Sequence, residues 1–187
     1  MRLFIAIALE QCVRAALAAA AKRLAATGAD VKWVEEENLH LTLKFLGEVE
    51  AGRIETLTAA LTKAAAGAQA FTLSLDGLGS FPGSGAPRVV WARVYTGAKE
   101  AAALAARVEQ AAAGLGFPRE ERSFSPHVTL GRRRTSYGGE ALATAIAAGQ
   151  LAASQRVDEF VLYRSDLRPA GPVYTRQAVV PLPGAGR

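Results

Sequence analysis

The sequence is poor in the residues that build disulfide scaffolds, metal clusters and membrane spans. It has one cysteine, Cys12, and two histidines among 187 residues. A single thiol excludes a disulfide framework and any zinc cluster built from several cysteines. No stretch approaches the about 18 consecutive apolar residues of a transmembrane helix, and the first apolar run, 3–9, is too short for a signal peptide. We therefore expect a cytoplasmic protein with no membrane partner.

The sequence is rich in alanine and contains a local cluster of basic residues. Half of the chain is hydrophobic, and 40 residues are alanine, mostly in runs typical of helices. The formal net charge is only +5, which by itself indicates no partner. The densest basic run, Arg132-Arg133-Arg134, follows closely after a histidine. Such a cluster is typical either of a solvated surface or of a phosphate site, and both interpretations stay open at this point.

The predicted elements occur twice in the same order. Apolar patterns predict strands and helices in a first half at 3–9 (strand), 10–27 (helix), 31–34 and 39–46 (strands), 52–66 (helix) and 71–75 (strand). The second half is predicted to hold 88–95 (strand), 97–115 (helix), 125–130 (strand), 140–148 (helix), 156–163 and 174–182 (strands). A Gly-, Ser- and Pro-rich loop is predicted at 77–87. Because Phe4 and Trp91 are 87 positions apart, as are the two histidines, we expect a duplicated α+β unit.

Both histidines open the same tetrapeptide. His40 and His127 are each followed by an apolar residue, a threonine and a leucine, which places Thr42 and Thr129 in the same register. Side chains alternate between the two faces of a strand, so each histidine shares a face with its threonine. If the two halves are related by approximate twofold symmetry, the two pairs can meet across a cleft.

Two imidazoles and two hydroxyls support one of two chemistries. Imidazole is a common metal ligand, but two histidines without a cysteine or a carboxylate in either tetrapeptide form a poor set for zinc or iron. Acid–base catalysis fits better, because near neutral pH one ring can accept a proton while the other donates one. A phosphodiester requires both transfers, and threonine hydroxyls can hydrogen-bond its non-bridging oxygens. No metal or other cofactor is then required.

The two motifs resemble those of the 2H phosphoesterase superfamily, and within it those of the RNA 2′,3′-cyclic phosphodiesterases, historically called 2′–5′ RNA ligases. The resemblance rests on the paired tetrapeptides, on the Phe-Leu-Gly extension of the first (45–47), on the opening 2–7, on the run from Trp33-Val34 to Asn38-Leu39, and on 125–132. It spans essentially the whole chain. Together these stretches are specific, although each tetrapeptide alone is common.

This resemblance implies a fold, an activity and a set of residue roles. The expected fold is a single domain, 1–187, of two pseudo-symmetric lobes, with two antiparallel-type sheets flanked by helices and a central groove. The expected activity is metal-independent hydrolysis of a terminal RNA 2′,3′-cyclic phosphate to a 2′-phosphate, with reversible 2′–5′ ligation as a related reaction. His40 would be the proton donor and His127 the proton acceptor, while Thr42 and Thr129 would hold the phosphate. Arg132 would contact the phosphate or stack on the base.

Several other residues are weaker candidates for the groove. Lys44 shares strand parity with His40 and Thr42, so we place it with Phe124 as a substrate-binding candidate. Phe45 has the opposite parity and is predicted to lie in the core. Arg133 and Arg134 either follow the RNA backbone or are solvent-exposed, and the loop 77–87 is either a lid or a connector.

Two other functions stay open at the level of the sequence. One is a related enzyme that acts on cyclic nucleotides or 2′–5′ linkages through the same groove. The other is a non-catalytic RNA-binding module that uses the basic surface. The expected partners are RNA 3′ ends or small cyclic phosphates, and the expected state is a monomer. The near symmetry of the two motifs leaves open which histidine is the acid.

Overall fold

The computed structural model describes residues 1–83, 86–169 and 171–184 and contains two antiparallel sheets with four α-helices. The elements in chain order are β1 (Arg2–Ala8), α1 (Gln11–Ala25), β2 (Val31–Trp33), a 3₁₀ turn (Glu36–Asn38), β3 (His40–Glu48), a second 3₁₀ turn (Ala51–Arg53), α2 (Ile54–Ala65), β4 (Phe71–Phe81), β5 (Val89–Val94), α3 (Ala98–Gly114), β6 (His127–Arg133), α4 (Gly139–Ala148), β7 (Ala152–Val157), β8 (Glu159–Arg168) and β9 (Gly171–Pro181). No helix within the described ranges is long and apolar enough to span a membrane.

The strands form two sheets. The first sheet has the strand order β3-β1-β8-β9, and the second has the order β2-β6-β5-β4-β7. Every pairing is antiparallel. Helices α2 and α3 pack on the first sheet through β9 and β3, while α1 and α4 pack on the second through β7 and β4. The predicted α+β class, with antiparallel sheets flanked by helices, is confirmed.

The two halves of the chain exchange their last strand. β4 follows α2 in the first half but pairs with β5 of the second sheet, and β8 of the second half returns to pair with β1. Three neighbouring strands of each sheet, β3-β1-β8 and β6-β5-β4, therefore correspond element by element at the predicted offset. Because of this exchange, buried residues from both sheets and all four helices form one continuous core cluster. Burial of that shared apolar surface holds the two sheets together.

Two predicted boundaries are wrong. The predicted strand 156–163 is two strands, because the chain passes at Asp158 from β7 in the second sheet to β8 in the first. Residues 77–81 of the predicted loop belong to β4, where Gly77 adopts a φ of 78° at a register shift between Leu75 and Leu78. Only glycine adopts this conformation readily, so a glycine inside a strand marks a bulge as often as a turn. Positions 84 and 85 of that loop lie outside the described residues.

Candidate active site

His40 and His127 begin the two strands that meet where the sheets approach each other. His40 is the first residue of β3 and His127 the first of β6, and β3 contacts β6. Within the first sheet, His40 pairs with Ala8 and Thr42 pairs with Ala6. Directly paired residues share a face of the sheet, so the imidazole and the hydroxyl lie on the face that carries Phe4. The alternation predicted from the sequence holds over each tetrapeptide.

The two imidazoles are held in the same way. Nδ1 of His40 lies 2.7 Å from the carbonyl oxygen of Asn38, and Nδ1 of His127 lies 2.7 Å from the carbonyl oxygen of Ser125. A carbonyl oxygen only accepts hydrogen bonds, so Nδ1 carries the hydrogen in both rings. In each neutral ring, Nε2 therefore has the free lone pair and is the atom that can exchange a proton with a ligand.

Aromatic rings pack against both histidines, each of which is partly buried. The ring centroid of His40 lies 4.9 Å from that of Phe4 and 5.4 Å from that of Tyr174, which meets it edge-on. The ring of His127 lies 5.2 Å from Phe81 and 6.2 Å from Trp91. Burial lowers the pKa of His40 below its ordinary value of 6.5, and the bond to the Asn38 carbonyl offsets part of this effect. The neutral form of His40 is thus favoured in the unliganded protein.

Trp91 reaches His127 because its cross-strand partner is a glycine. Gly79 of β4 pairs with Trp91 of β5, and a Cβ atom at Gly79 would collide with the indole ring. The indole therefore lies across the backbone of β4. Any side chain at position 79 would displace the ring that packs beside His127.

A β-bulge in β3 reverses the expected positions of Lys44 and Phe45. Ala6 pairs with Thr42 and Ile5 pairs with Lys44, which leaves Leu43 as an extra residue. Lys44 is consequently buried on the helix side, where its Nζ binds Glu109 Oε2 at 2.7 Å and the carbonyl oxygen of Pro118 at 2.9 Å. The prediction that Lys44 reaches the groove is wrong, because strand parity changes at the bulge.

The same bulge turns Phe45 toward the face of the histidine. Phe45 pairs with Phe4, is 67% exposed, and has its ring centroid 6.0 Å from that of Phe4. The prediction of a core position for Phe45 is therefore also wrong. Strand periodicity gives no sign of a bulge, so the sequence contained no signal for this exchange.

A matching bulge in β6 places Arg132 on the face of His127. Trp91 pairs with Thr129 and Val90 pairs with Gly131, so Leu130 is the extra residue. Arg132 is exposed, and its charge, with that of Arg2, partly offsets the rise that burial causes in the pKa of Tyr174. The bulge therefore places Arg132 on the same face of the second sheet as His127 and Thr129.

The remaining candidates are Phe124, Arg133 and Arg134. Phe124 is partly buried and packs against the core. Its role as a substrate-binding residue stays a prediction. Arg133 donates to the carbonyl oxygen of Ser136 at 3.2 Å, whereas Arg134 is exposed. Among the residues that the structure describes, no group of three or more His, Cys, Asp or Glu side chains is placed to hold a metal ion.

Comparison with known proteins gives the family. Residues 13–169 match the model of the 2′-5′ RNA ligase superfamily. The chain belongs to this superfamily. Its relative in Methanothermobacter thermautotrophicus, named RNA 2′,3′-cyclic phosphodiesterase, is 36% identical over 183 residues, which cover 96% of this chain and 97% of the relative.

Solved structures of the superfamily share the fold over its whole length. A protein of Thermus thermophilus superposes with a TM-score of 0.82 at 32% identity, covering 100% of both chains. Escherichia coli LigT in complex with 3′-AMP superposes with a TM-score of 0.78 at 30% identity, covering 97% of both chains. The resemblance found in the two tetrapeptides is thereby confirmed.

Proposed function

We propose that this protein is a metal-independent RNA 2′,3′-cyclic phosphodiesterase that leaves a 2′-phosphate. The observation that carries the proposal is the matched pair of imidazoles on touching strands, each with Nδ1 bound to a carbonyl oxygen and Nε2 free. Relatives over most of the chain are named for this activity. We also propose that 1–187 forms one domain of two pseudo-symmetric lobes, in keeping with the shared core.

In the proposed reaction, each imidazole transfers one proton. Nε2 of His127 removes a proton from a water molecule as the water oxygen attacks phosphorus. The bond between phosphorus and the 3′ oxygen breaks, and Nε2 of His40 donates a proton to that oxygen, which leaves a 3′ hydroxyl and a 2′-phosphate. A 5′ hydroxyl in place of the water would give a 2′–5′ phosphodiester, which is the ligation reaction. Positioned groups of this kind each contribute roughly 10²–10⁴-fold.

Threonine and arginine side chains stabilise the negative charge in this scheme. Thr42 and Thr129 share faces with the two imidazoles and can donate hydrogen bonds to the non-bridging oxygens. Arg132 lies three residues after Thr129 on the same face, and its guanidinium has the geometry to bind two phosphate oxygens at once. The charge that develops on phosphorus is then met by protein groups, with no metal ion required.

The exposed ring of Phe45 suits a nucleobase. This apolar ring is 67% exposed and lies on the same face of the sheet as Thr42, so it offers a flat surface beside the proposed phosphate site. Base stacking on aromatic side chains tolerates any base, because every base has a π face. RNA 3′ ends and small cyclic phosphates both contain the required parts, so both are proposed substrates.

The test is a short RNA that ends in a 2′,3′-cyclic phosphate. We expect turnover in the presence of EDTA, a product that carries a 2′-phosphate, and loss of activity by roughly 10²-fold or more in both His40→Ala and His127→Ala. A chelator-sensitive reaction would contradict metal independence, and a 3′-phosphate product would contradict the position of cleavage. RNA binding without turnover in the unaltered protein would favour the binding-module alternative. The monomeric state and the cytoplasmic location remain predictions.

A further inference from the structure

The two residues whose carbonyl oxygens bind the imidazoles, Asn38 and Ser125, differ in burial and in their own side-chain contacts. Asn38 is 8% exposed, and its side-chain Nδ2 donates to the carbonyl oxygen of Pro172 at 3.0 Å, 134 positions further along the chain. Ser125, which corresponds to Asn38 in the second half, is exposed. Among the described residues, therefore, a side-chain hydrogen bond supports the residue that holds His40, and none supports the residue that holds His127.

The hydrogen bond from Asn38 to Pro172 completes a closed set of contacts around His40. Asn38 binds Pro172 of β9, and β9 carries Tyr174 two residues further on. The Tyr174 ring meets the His40 ring at 85° with 5.4 Å between centroids, and Nδ1 of His40 returns to the Asn38 carbonyl oxygen. The hairpin of β8 and β9 is thus attached to the 3₁₀ turn that precedes the first motif. The ring of His40 is held both through Nδ1 and through one of its edges.

We infer that Asn38 is a positioning residue for His40, which fixes the ring between its own carbonyl oxygen and the β8–β9 hairpin so that Nε2 alone exchanges the proton. The inference rests on the proposed function of His40 in proton transfer. Without the amide of Asn38, the hairpin loses its attachment at Pro172 and the turn loses the bond that fixes the direction of the carbonyl. A misplacement of about 1 Å at a reacting group lowers the rate roughly 10²-fold, so the loss of a positioning residue should lower kcat measurably.

The protonation of His40 reports on the same contacts. By strand pairing, the ionisable side chains on the His40 face of the first sheet are Arg2 on β1, Glu48 on β3, Glu159 and Tyr163 on β8, and Tyr174 and Arg176 on β9. His127 and Arg132 on β6 and Glu36 and Glu37 in the 3₁₀ turn belong to the adjoining elements. The main cause of the lowered pKa of His40 is burial rather than any of these charges, and the Asn38 carbonyl acts in the opposite direction. Release of the hairpin admits water to the ring, so its pKa should move upward toward the ordinary value.

The experiment compares Asn38→Ala with Ser125→Ala, the corresponding change in the second half. Both keep the backbone carbonyl, but within the part of the chain that the structure describes, the first alone removes a side-chain hydrogen bond. Asn38→Ala should lower kcat roughly 10- to 100-fold with little change in KM, and Ser125→Ala should leave both within about twofold. Equal kinetic effects in the two variants, or no effect of Asn38→Ala, would refute the role assigned to Asn38.

A measurement on the free protein separates this inference from the proposed function. The chain has two histidines, so ¹⁵N-histidine NMR gives two ring systems, which His127→Asn assigns. Asn38→Ala should raise the midpoint of the His40 titration and reduce the signature of a fixed Nδ1–H tautomer, whereas Ser125→Ala should change neither for His40. An unchanged His40 titration would overturn the inference even if activity falls. If Asn38→Ala does not fold, Asn38→Leu, which keeps the approximate shape and removes the donor without adding a charge, takes its place, with folding followed by circular dichroism. If His40→Ala retains activity, the proposed function fails, and the NMR result on Asn38 is unaffected.

Discussion

Phe45 and Arg132 occupy corresponding positions of the two motif strands. They lie 87 positions apart, each three residues after its motif threonine, and each follows a bulge that turns it toward the face of the histidine. One position carries an apolar ring and the other a cation. Under the proposed function, a base would lie beside Phe45 and a phosphate beside Arg132, so the two similar strands would bind different parts of the substrate.

Phe45→Ala should weaken the binding of substrates that carry a base. Stacking of a base on an aromatic ring is worth roughly 1–3 kcal/mol, so KM should rise by about 5- to 150-fold. The ring is mostly exposed, and Tm should change little. Steady-state kinetics on a nucleoside 2′,3′-cyclic phosphate measure the first quantity and differential scanning fluorimetry the second. Phe45→Trp, which keeps a flat ring, is the matched control, and an unchanged KM in Phe45→Ala would exclude a stacking role.

Arg132→Ala should reduce catalysis far more than Arg134→Ala. Arg132 shares the face of His127 and Thr129, whereas Arg134 lies beyond the end of β6. Loss of one group that stabilises developing charge typically costs roughly 10²–10³-fold in kcat. Measurement of kcat/KM in both variants at constant ionic strength separates this effect from the general attraction of RNA to a basic surface. Similar losses in the two variants would mean that the cluster acts only through its net charge.

Lys44→Ala should destabilise the fold without a direct effect on substrate binding. The Lys44 side chain is 4% exposed and forms a 2.7 Å ion pair with Glu109, which is 22% exposed. Removal of one partner of a buried pair leaves the other unpaired, and the partial exposure of Glu109 reduces the cost to about 2–3 kcal/mol. Chemical denaturation gives the free energy of unfolding, and KM measured well below Tm should equal that of the unaltered protein. A raised KM at full folding would restore the original prediction that Lys44 binds substrate.

The lowered pKa of His40 predicts a difference between two pH profiles. The profile of kcat/KM reports the free enzyme, and that of kcat reports the enzyme–substrate complex. As the proposed acid, His40 must be protonated, so the alkaline limb of kcat/KM should fall below the ordinary value of 6.5. A bound phosphate anion favours the imidazolium, so the corresponding limb of kcat should lie at higher pH.

The opposite assignment of the two histidines gives a different profile. If His40 were the base, its lowered pKa would set the acidic limb of kcat/KM, and that limb would lie below the ordinary value of 6.5. His40→Gln should remove whichever limb belongs to His40. Profiles measured on a single substrate from mildly acidic to mildly alkaline pH therefore decide the roles that the near symmetry of the motifs leaves open.

The element pattern could be predicted from the sequence because it depends on local chemistry. The apolar face of each strand and the alanine-rich helices follow from side-chain periodicity, and the pairing of His40 with Thr42 on one face follows from strand alternation. The predicted strand at 156–163 failed for a related reason. Both β7 and β8 contain apolar residues, so the periodicity continues across Asp158, where the chain changes sheet.

The sequence by itself determined the two motifs, the fold class and the family, since these depend on residue identity, spacing and short-range periodicity. Only the tertiary structure decided which strands are exchanged between the sheets, which residue after each threonine shares the face of the histidine, and which histidine contacts the β8–β9 hairpin. Those features depend on strand register and on contacts between residues far apart in the chain, such as Asn38 and Pro172. A bulge of one residue reverses every later side chain of a strand, and pairing with the neighbouring strand, rather than the local pattern, fixes where it occurs.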